Sequence, residues 1–232
     1  MKKQFFTSHI PQPPVRHIRL NWVVAFLVVL LAACITSSQH NTPNPRPDTS
    51  YGVFGIPSGP TYYVSPSGSN ANDGSRDRPW ATLSFAVQKL KPGDVLRVLP
   101  GTYNESVQVT ASGTANSRIT IASDIRWGAK LNAQGQLFGI DVRSSYVDIV
   151  GFEVTNATNS GIISWAPYNR FLFNHVYGIR AQCDSNGGAG INASQPNAGN
   201  TSILSNLVHD IGDLTAGPCT RIHGIYQGSP KG

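Results

Sequence analysis

The amino-acid sequence predicts an all-β fold: a solenoid of short, stacked parallel strands with one short helix near its start. Three observations predict it. Only one segment of the part expected to fold carries a helical period. Everything after it is short runs of β-forming residues, VLRVL, SVQVT, RITIA, YVDIVGFEV, RFLFNHVYGI, SILSNLVHDI and HGIY, separated by Gly, Asn, Ser or Pro. The later runs also superpose on one another, with polar inserts of unequal length between them, which marks a repeat with a fixed strand core.

Two segments that do not read as folded domain come first. Lys2, Lys3, Arg16 and Arg19 precede the apolar run of NWVVAFLVVLLAAC, about a dozen residues and so shorter than the roughly 20 a membrane-spanning helix needs. Residues 1–33 are therefore expected to be a signal segment. The residues alone leave open a signal-anchor helix, or a secretory signal in which Cys34 is incidental. Leu31-Ala32-Ala33-Cys34 resembles the lipobox of bacterial lipoproteins, and the resemblance implies cleavage before Cys34, which becomes the lipid anchor. Residues 34–60 are rich in Ser, Thr, Asn and Pro without apolar period, as expected of the anchor cysteine and a disordered tether. The folded domain is expected over 61–232, with cap and first coil in 61–110, enough chain for one continuous core.

The chain carries 18 Lys and Arg against 12 Asp and Glu, a net charge of +6. Without residues 1–33 the basic count falls to 14 and the net charge to +2. The basic excess thus belongs mostly to the signal segment. With no basic stripe in the remainder, nucleic acid is not an expected partner.

In WATLSFAVQKLKPGD, Leu83, Ala86, Val87 and Leu90 fall at i, i+3, i+4 and i+7, which predicts a short amphipathic helix stopped by Pro92-Gly93. Placing Val150 over Leu172 over Leu204 aligns Phe152 with Asn174 and Asn206, then Val154 with Val176 and Val208. A Gly-Ile pair follows each time: Gly161-Ile162, Gly190-Ile191 and Gly224-Ile225. The anchors lie 22 and 32 residues apart, and the extra length sits in RAQCDSNGGA and GDLTAGPCTRI. Side chains alternate along a strand, so the valines point inward. Outward columns then read Glu153, His175, Leu207; Thr155, Tyr177, His209; and Ile163, Asn192, Tyr226. Asn174 and Asn206 are expected to hydrogen-bond as a ladder at the turn. A β-sandwich is the alternative, but its hairpins do not repeat like residues at like positions.

The stretch from Tyr62 to Glu105, YYVSPSGSNANDGSRDRPWATLSFAVQKLKPGDVLRVLPGTYNE, resembles the N-terminal cap and first coil of the right-handed parallel β-helix proteins. These include pectate-lyase-like and related polysaccharide lyases and many bacterial surface proteins. The resemblance covers the chain from residue 61 onward. It implies a right-handed parallel β-helix solenoid with a short capping α-helix laid across its open N-terminal end, and polysaccharide as the partner. It implies no particular activity, because one fold carries many functions.

A lyase acting on acidic sugars needs a base for the proton alpha to a carboxylate and a positive centre for the developing enolate. Lys or Arg, and Ca²⁺ on clustered carboxylates, commonly supply these. The outward columns hold histidines and tyrosines but no carboxylate cluster, and no Lys or Arg matches the lyase pattern, so no catalytic residue is assigned. Asp184, His209, Asp210, Asp213 and His223, in or beside the long inserts, form the candidate groove; solvated loop edges are the structural alternative. Inserts stacked on adjacent coils make a wall beside a flat sheet, and so a groove for several sugar units. Affinity for an acidic glycan would need Arg180, Arg221 or a bound Ca²⁺ there, since the net field is weak. Asp73-Gly74 reads as a turn before it reads as a calcium loop, and Trp80 and Trp165 read as packing residues before sugar platforms.

Cys183 and Cys219 lie in corresponding inserts of successive coils, one coil spacing apart, which suits a disulfide; two free thiols are the alternative. About four to five coils are counted, with no second amphipathic segment after the last Gly-Ile, so the solenoid is expected to be truncated. Two functions are expected from different classes. One is an exported, membrane-anchored lipoprotein, on the cell surface or facing the periplasm, that binds polysaccharide, with cleavage by a lyase or glycoside hydrolase route left open. The other is a non-catalytic adhesive or structural solenoid.

Overall fold

Each turn of the chain lays down three strands. The computed structural model describes residues 55–183, 187–212 and 219–228. After β1 (Thr61–Val64) and the helix α1 (Leu83–Ala86), the first coil holds β2 (Val95–Val98), β3 (Gly101–Tyr103) and β4 (Val107–Val109). The second holds β5 (Ile119–Ser123), β6 (Ala129–Asn132) and β7 (Phe138–Val142), and the third β8 (Val147–Val150), β9 (Glu153–Thr155) and β10 (Ser160–Ser164). The fourth holds β11 (Arg170–Leu172), β12 (His175–Ile179) and β13 (Gly188–Ala193), and the fifth β14 (Ser202–Leu204), β15 (Leu207–Ile211) and β16 (Ile222–Gln227).

Like strands of successive coils pair in parallel. The first sheet runs β1-β2-β5-β8-β11-β14, the second β3-β6-β9-β12-β15, and the third β4-β7-β10-β13-β16. This is the right-handed parallel β-helix the sequence predicts, and the register is the predicted one. Leu172 pairs with Val150 and Leu204, Val176 with Val154 and Val208, and Ile191 with Ile162 and Ile225. Leu96, Ile121, Ile149, Phe171 and Ile203 stack as one inward column. With the columns of the other two sheets they fill a single core in which most side chains are fully buried.

The repeated Gly-Ile has a steric cause. A Cβ on Gly161 would stand 2.3 Å from Val176 Cγ1 and 2.8 Å from the Gly190 carbonyl oxygen, and one on Gly190 would stand 2.3 Å from Val208 Cγ1. The third sheet therefore meets the valine column of the second only where no side chain intervenes. The turn between first and second sheets carries the predicted asparagine ladder. Asn174 accepts from Phe152 N (3.0 Å) and donates to Ile149 O and Asn206 Oδ1 (both 3.0 Å); Asn206 donates to Phe171 O (2.8 Å). Preceding each rung is a left-handed residue, Gly151, Phe173 or Ser205, which makes the corner tight.

The helix is one turn, shorter than its period suggested, because its apolar face continues as a non-helical turn: Leu83, Ala86, Val87 and Leu90 are all buried. Thr82 caps it by accepting from Phe85 N. The carboxylate of Glu105 accepts from Leu83 N and Ser84 N, both at 2.9 Å, and so ties the cap to the first coil. Packing of the N-terminal side also starts earlier than residue 61. Ile56 lies against Ala122, Val150 and Leu172 on the outer face of the first sheet, and Pro60 O accepts from Val95 N at 2.9 Å. Beside it, buried Asp148 accepts from Arg118 Nε and Arg170 Nε, each at 2.7 Å.

Two outward columns need correction. Thr155 and Ile163 are buried: Thr155 is closed in between Asn132 and Tyr177, its register partners, and Ile163 is the floor of a cleft. Cys183 and Cys219 are joined by a disulfide with Cα atoms 5.7 Å apart, so the bond spans the inserts of the fourth and fifth coils. In the fifth coil Leu204, Leu207, Ile225 and Tyr226 are 42–47% exposed, whereas their partners one coil earlier, Leu172 and Ile191, are buried.

Candidate functional site

The long inserts join the second sheet to the third, so they stand at a corner with one outer face on either side. His209 and Asp210 lie on the second sheet and His223 on the third. The structure thus brings His209 and Asp210 together and gives His223 a different neighbourhood. Asp184, Asp213 and Cys34 lie outside the described residues.

On the second sheet, Lys130, Glu153 and His175 occupy one outward column, and Tyr177 and His209 the next. Lys130 Nζ donates to Tyr177 Oη (2.8 Å) and pairs with Glu153 Oε1 (2.9 Å), and Tyr177 in turn donates to Glu153. His175 Nε2 and His209 Nε2 share a proton at 2.8 Å, and His209 Nδ1 faces Asp210 at 2.8 Å. With Asp210 accepting from Nδ1, His209 Nε2 accepts from His175, which leaves His175 Nδ1 as the free basic nitrogen. Trp127 closes the upper edge, its ring 5.1 Å from that of His175.

Each titration follows from these contacts. The Tyr177 hydroxyl and the Glu153 carboxylate hold the Lys130 ammonium above its ordinary value, so it stays charged and is no proton acceptor. Burial pushes Glu153 up, but hydrogen bonds from Tyr177 and Lys130 outweigh it and hold the carboxyl below its ordinary range. Burial, and then the neighbouring His209, lowers His175 and keeps it neutral. This face can pass a proton along His175, His209 and Asp210, yet nearly all of its polar atoms are already answered by one another.

The third sheet is different. Leu137, Phe138, Ile163 and Trp165 wall a cleft of about 330 Å³ whose other side is the amides of Asn159, Asn192 and Gln195. A second cleft of about 260 Å³ adjoins it across Asn192 and Gln195, and there the lining is polar, with Arg221, His223 and Tyr226. The His223 ring stacks on Tyr226 at 4.5 Å. Together they form a groove that crosses the strands β7, β10, β13 and β16, three strand spacings or about 14 Å. Trp165 therefore does more than pack: Phe138 meets it edge-on at 6.2 Å, and the Arg143 guanidinium lies 4.4 Å from its ring centre. Trp80 is a packing residue, stacked on Tyr62 at 5.2 Å, and Asp73 sits in a turn, accepting from Ser75 N at 3.0 Å.

Among the described residues no three His, Cys, Asp or Glu side chains converge as a metal would need. Sequence reasoning missed Lys130, Trp127 and the cleft. The column register was traced back only to Glu153; carrying it one coil further would have set AKLN, residues 129–132, under FEVT and exposed Lys130. The cleft had no comparable signal, because Leu137 and Gln195 lie outside the strands.

A coiled stack of parallel strands with a groove along one outer face defines the class, a right-handed parallel β-helix. The chain belongs to the Pel9A-like right-handed β-helix family, whose model matches residues 62–220. It is similar to the protein YwoF of Bacillus subtilis (strain 168), 41% identical over 63 residues, which is 27% of this chain and 14% of that protein. Among solved structures it shares its fold with pectate lyase Pel9A, at TM-score 0.51 and 22% identity over 66% of this chain and 48% of the lyase. It shares it also with a GH136 lacto-N-biosidase from Eubacterium ramulus, at TM-score 0.52 and 16% identity over 63% of this chain and 34% of that enzyme. The chain thus spans less than half the length of each of these proteins.

Proposed function

We propose that this chain is part of an exported polysaccharide-binding β-helix protein, with the sugar chain lying along the third-sheet groove. One observation carries the reading: two adjoining clefts on one face share Asn192 and Gln195, and so form a continuous track rather than an isolated pocket. Aromatic and amide groups along a track suit a sugar chain, which offers C–H faces to rings and hydroxyls to amides. The structural neighbours, a pectate lyase and a lacto-N-biosidase, support the same ligand class. Cleavage would need a proton carrier, for which the described groove offers His223 and Tyr226. Asp184 and Asp213 belong in sequence to the two long inserts, and a Ca²⁺ would bind through such carboxylates.

Glycan-array binding by the full chain, with and without EDTA, tests the reading; ultraviolet absorbance of a new C=C bond then reports elimination. Binding without new absorbance supports a binding module. Binding of no glycan leaves the adhesive or structural solenoid as the better reading. The lipobox-like Leu31-Ala32-Ala33-Cys34 supports anchoring through a lipid on Cys34. Palmitate labelling of the wild type and of Cys34→Ala in a bacterial host should differ, and equal labelling refutes the anchor.

A further inference from the structure

The groove is chemically divided, and the division says which sugar it takes. We infer that its Trp165 half binds an uncharged pyranose, so that the polysaccharide is not an unbroken run of uronic acids. This rests on the reading of the groove as a polysaccharide site.

The first support is the lining. The walls there are Leu137, Phe138, Ile163 and Trp165, and the rest are amides; no side chain lining this half is ionisable. Leu137 is 62% exposed, an apolar side chain standing free at the cleft mouth. A carboxylate entering here would shed its water against hydrocarbon without a cation to meet it. The guanidinium of Arg143 is close to Trp165, but its Nε is held by both oxygens of Asp141, at 2.9 and 3.0 Å, so its charge is matched.

The second support is Asn192, which is built into position. It is 8% exposed, and its Oδ1 accepts from Ser194 N (3.0 Å) and Ser194 Oγ (2.8 Å). Those two bonds fix which end of the amide is which, and they leave Nδ2 with two N–H groups and no partner among the described residues. A donor fixed at the junction of the two clefts selects an acceptor such as a hydroxyl or ring oxygen. Gln195 beside it is half-buried and offers a donor and an acceptor to the same unit. Acidic units can sit only in the other half, near Arg221 and His223.

The test is calorimetric titration of the full chain with three sets of hexasaccharide. These are neutral gluco-, galacto- and N-acetylglucosamine oligomers, a hyaluronan oligomer that alternates neutral and acidic units, and hexagalacturonate. At least one neutral or alternating oligomer should bind at least tenfold more tightly than hexagalacturonate. Asn192→Asp keeps the acceptor that Ser194 uses but replaces the free donor with an anionic oxygen; it should lower the melting temperature and weaken that binding at least tenfold at a temperature where the variant is still folded. Gln195→Ala, at a half-buried position, should weaken it about threefold. Tightest binding to hexagalacturonate overturns the inference while leaving the groove as a polysaccharide site; full affinity in both variants overturns the inference and the groove together. Binding of none of the three overturns both.

Discussion

The second-sheet and third-sheet faces have the same geometry, four to five strands at the same spacing, and opposite chemistry. On the second sheet a lysine, a glutamate, a tyrosine and two histidines answer one another across four coils. On the third, Asn192 Nδ2 ends at the cleft without a partner among the described residues, next to the apolar walls of Leu137, Phe138, Ile163 and Trp165. Titratable residues drew attention to the first face in the sequence, yet a satisfied network mainly holds its own coils in register. Unspent donors beside apolar surface are what a ligand can use. The richer cluster is thus a seam, and the plainer one is the face on which the proposed binding rests.

The largest effect should come from the corner that both faces share. With Cys183 and Cys219 bonded, denatured unreduced chain should show no reactive thiol besides Cys34, and reduction should cost about 4 kcal/mol on the chain-entropy account of its 36-residue loop. Two further reactive thiols would remove the bond from the comparison. Next is Gly161→Ala, which drives a methyl into Val176 where the two sheets meet; the urea midpoint should fall by the equivalent of about 3 kcal/mol. Lys130→Met then separates the faces. It should lower stability by about 1–2 kcal/mol, because Glu153 loses its cation, and leave glycan affinity within twofold of wild type.

Acid gives the smallest and most specific contrast. Unfolded His175 takes up a proton near its ordinary value of 6.5, while the folded residue resists until lower pH. Its contribution is therefore complete above pH 6.5 and lost as pH falls through the folded value. Glu153, held below its ordinary value of 4.5, adds a second loss of the same sign at lower pH. Thermal melts should thus drop from pH 7.5 to 5, and the drop should shrink in His175→Gln. Neutral-oligomer affinity should stay level over that range, since no titratable group lines the Trp165 half. An equal fall in affinity would join the two faces functionally.

The architecture was legible because a solenoid writes its register into its repeats: Val154, Val176 and Val208 must stack, and Gly161 and Gly190 must stay bare beneath them. The asparagine ladder was legible for the same reason. Buried Asn169 was not, although it holds the turn at Val147 and Ser144, because no like residue recurs one coil away. The site was half legible. His209, Asp210 and His223 were found as polar residues near the inserts, but period alone did not say that a corner divides them. The cleft depends on irregular segments, where side-chain direction follows no period.

The disulfide also decides how the molecule carries load. Tension applied at the C-terminal end peels β16 first and then reaches Cys219. From there the pull passes through sulfur to Cys183, just after β12, and by-passes β13, β14 and β15. Those strands, and with them Asn192 at the centre of the groove, leave the load path, and about 120 Å of extended chain stays reeled in. Load that enters at the C-terminal end would therefore leave those three strands, and the outer faces they build, undisturbed.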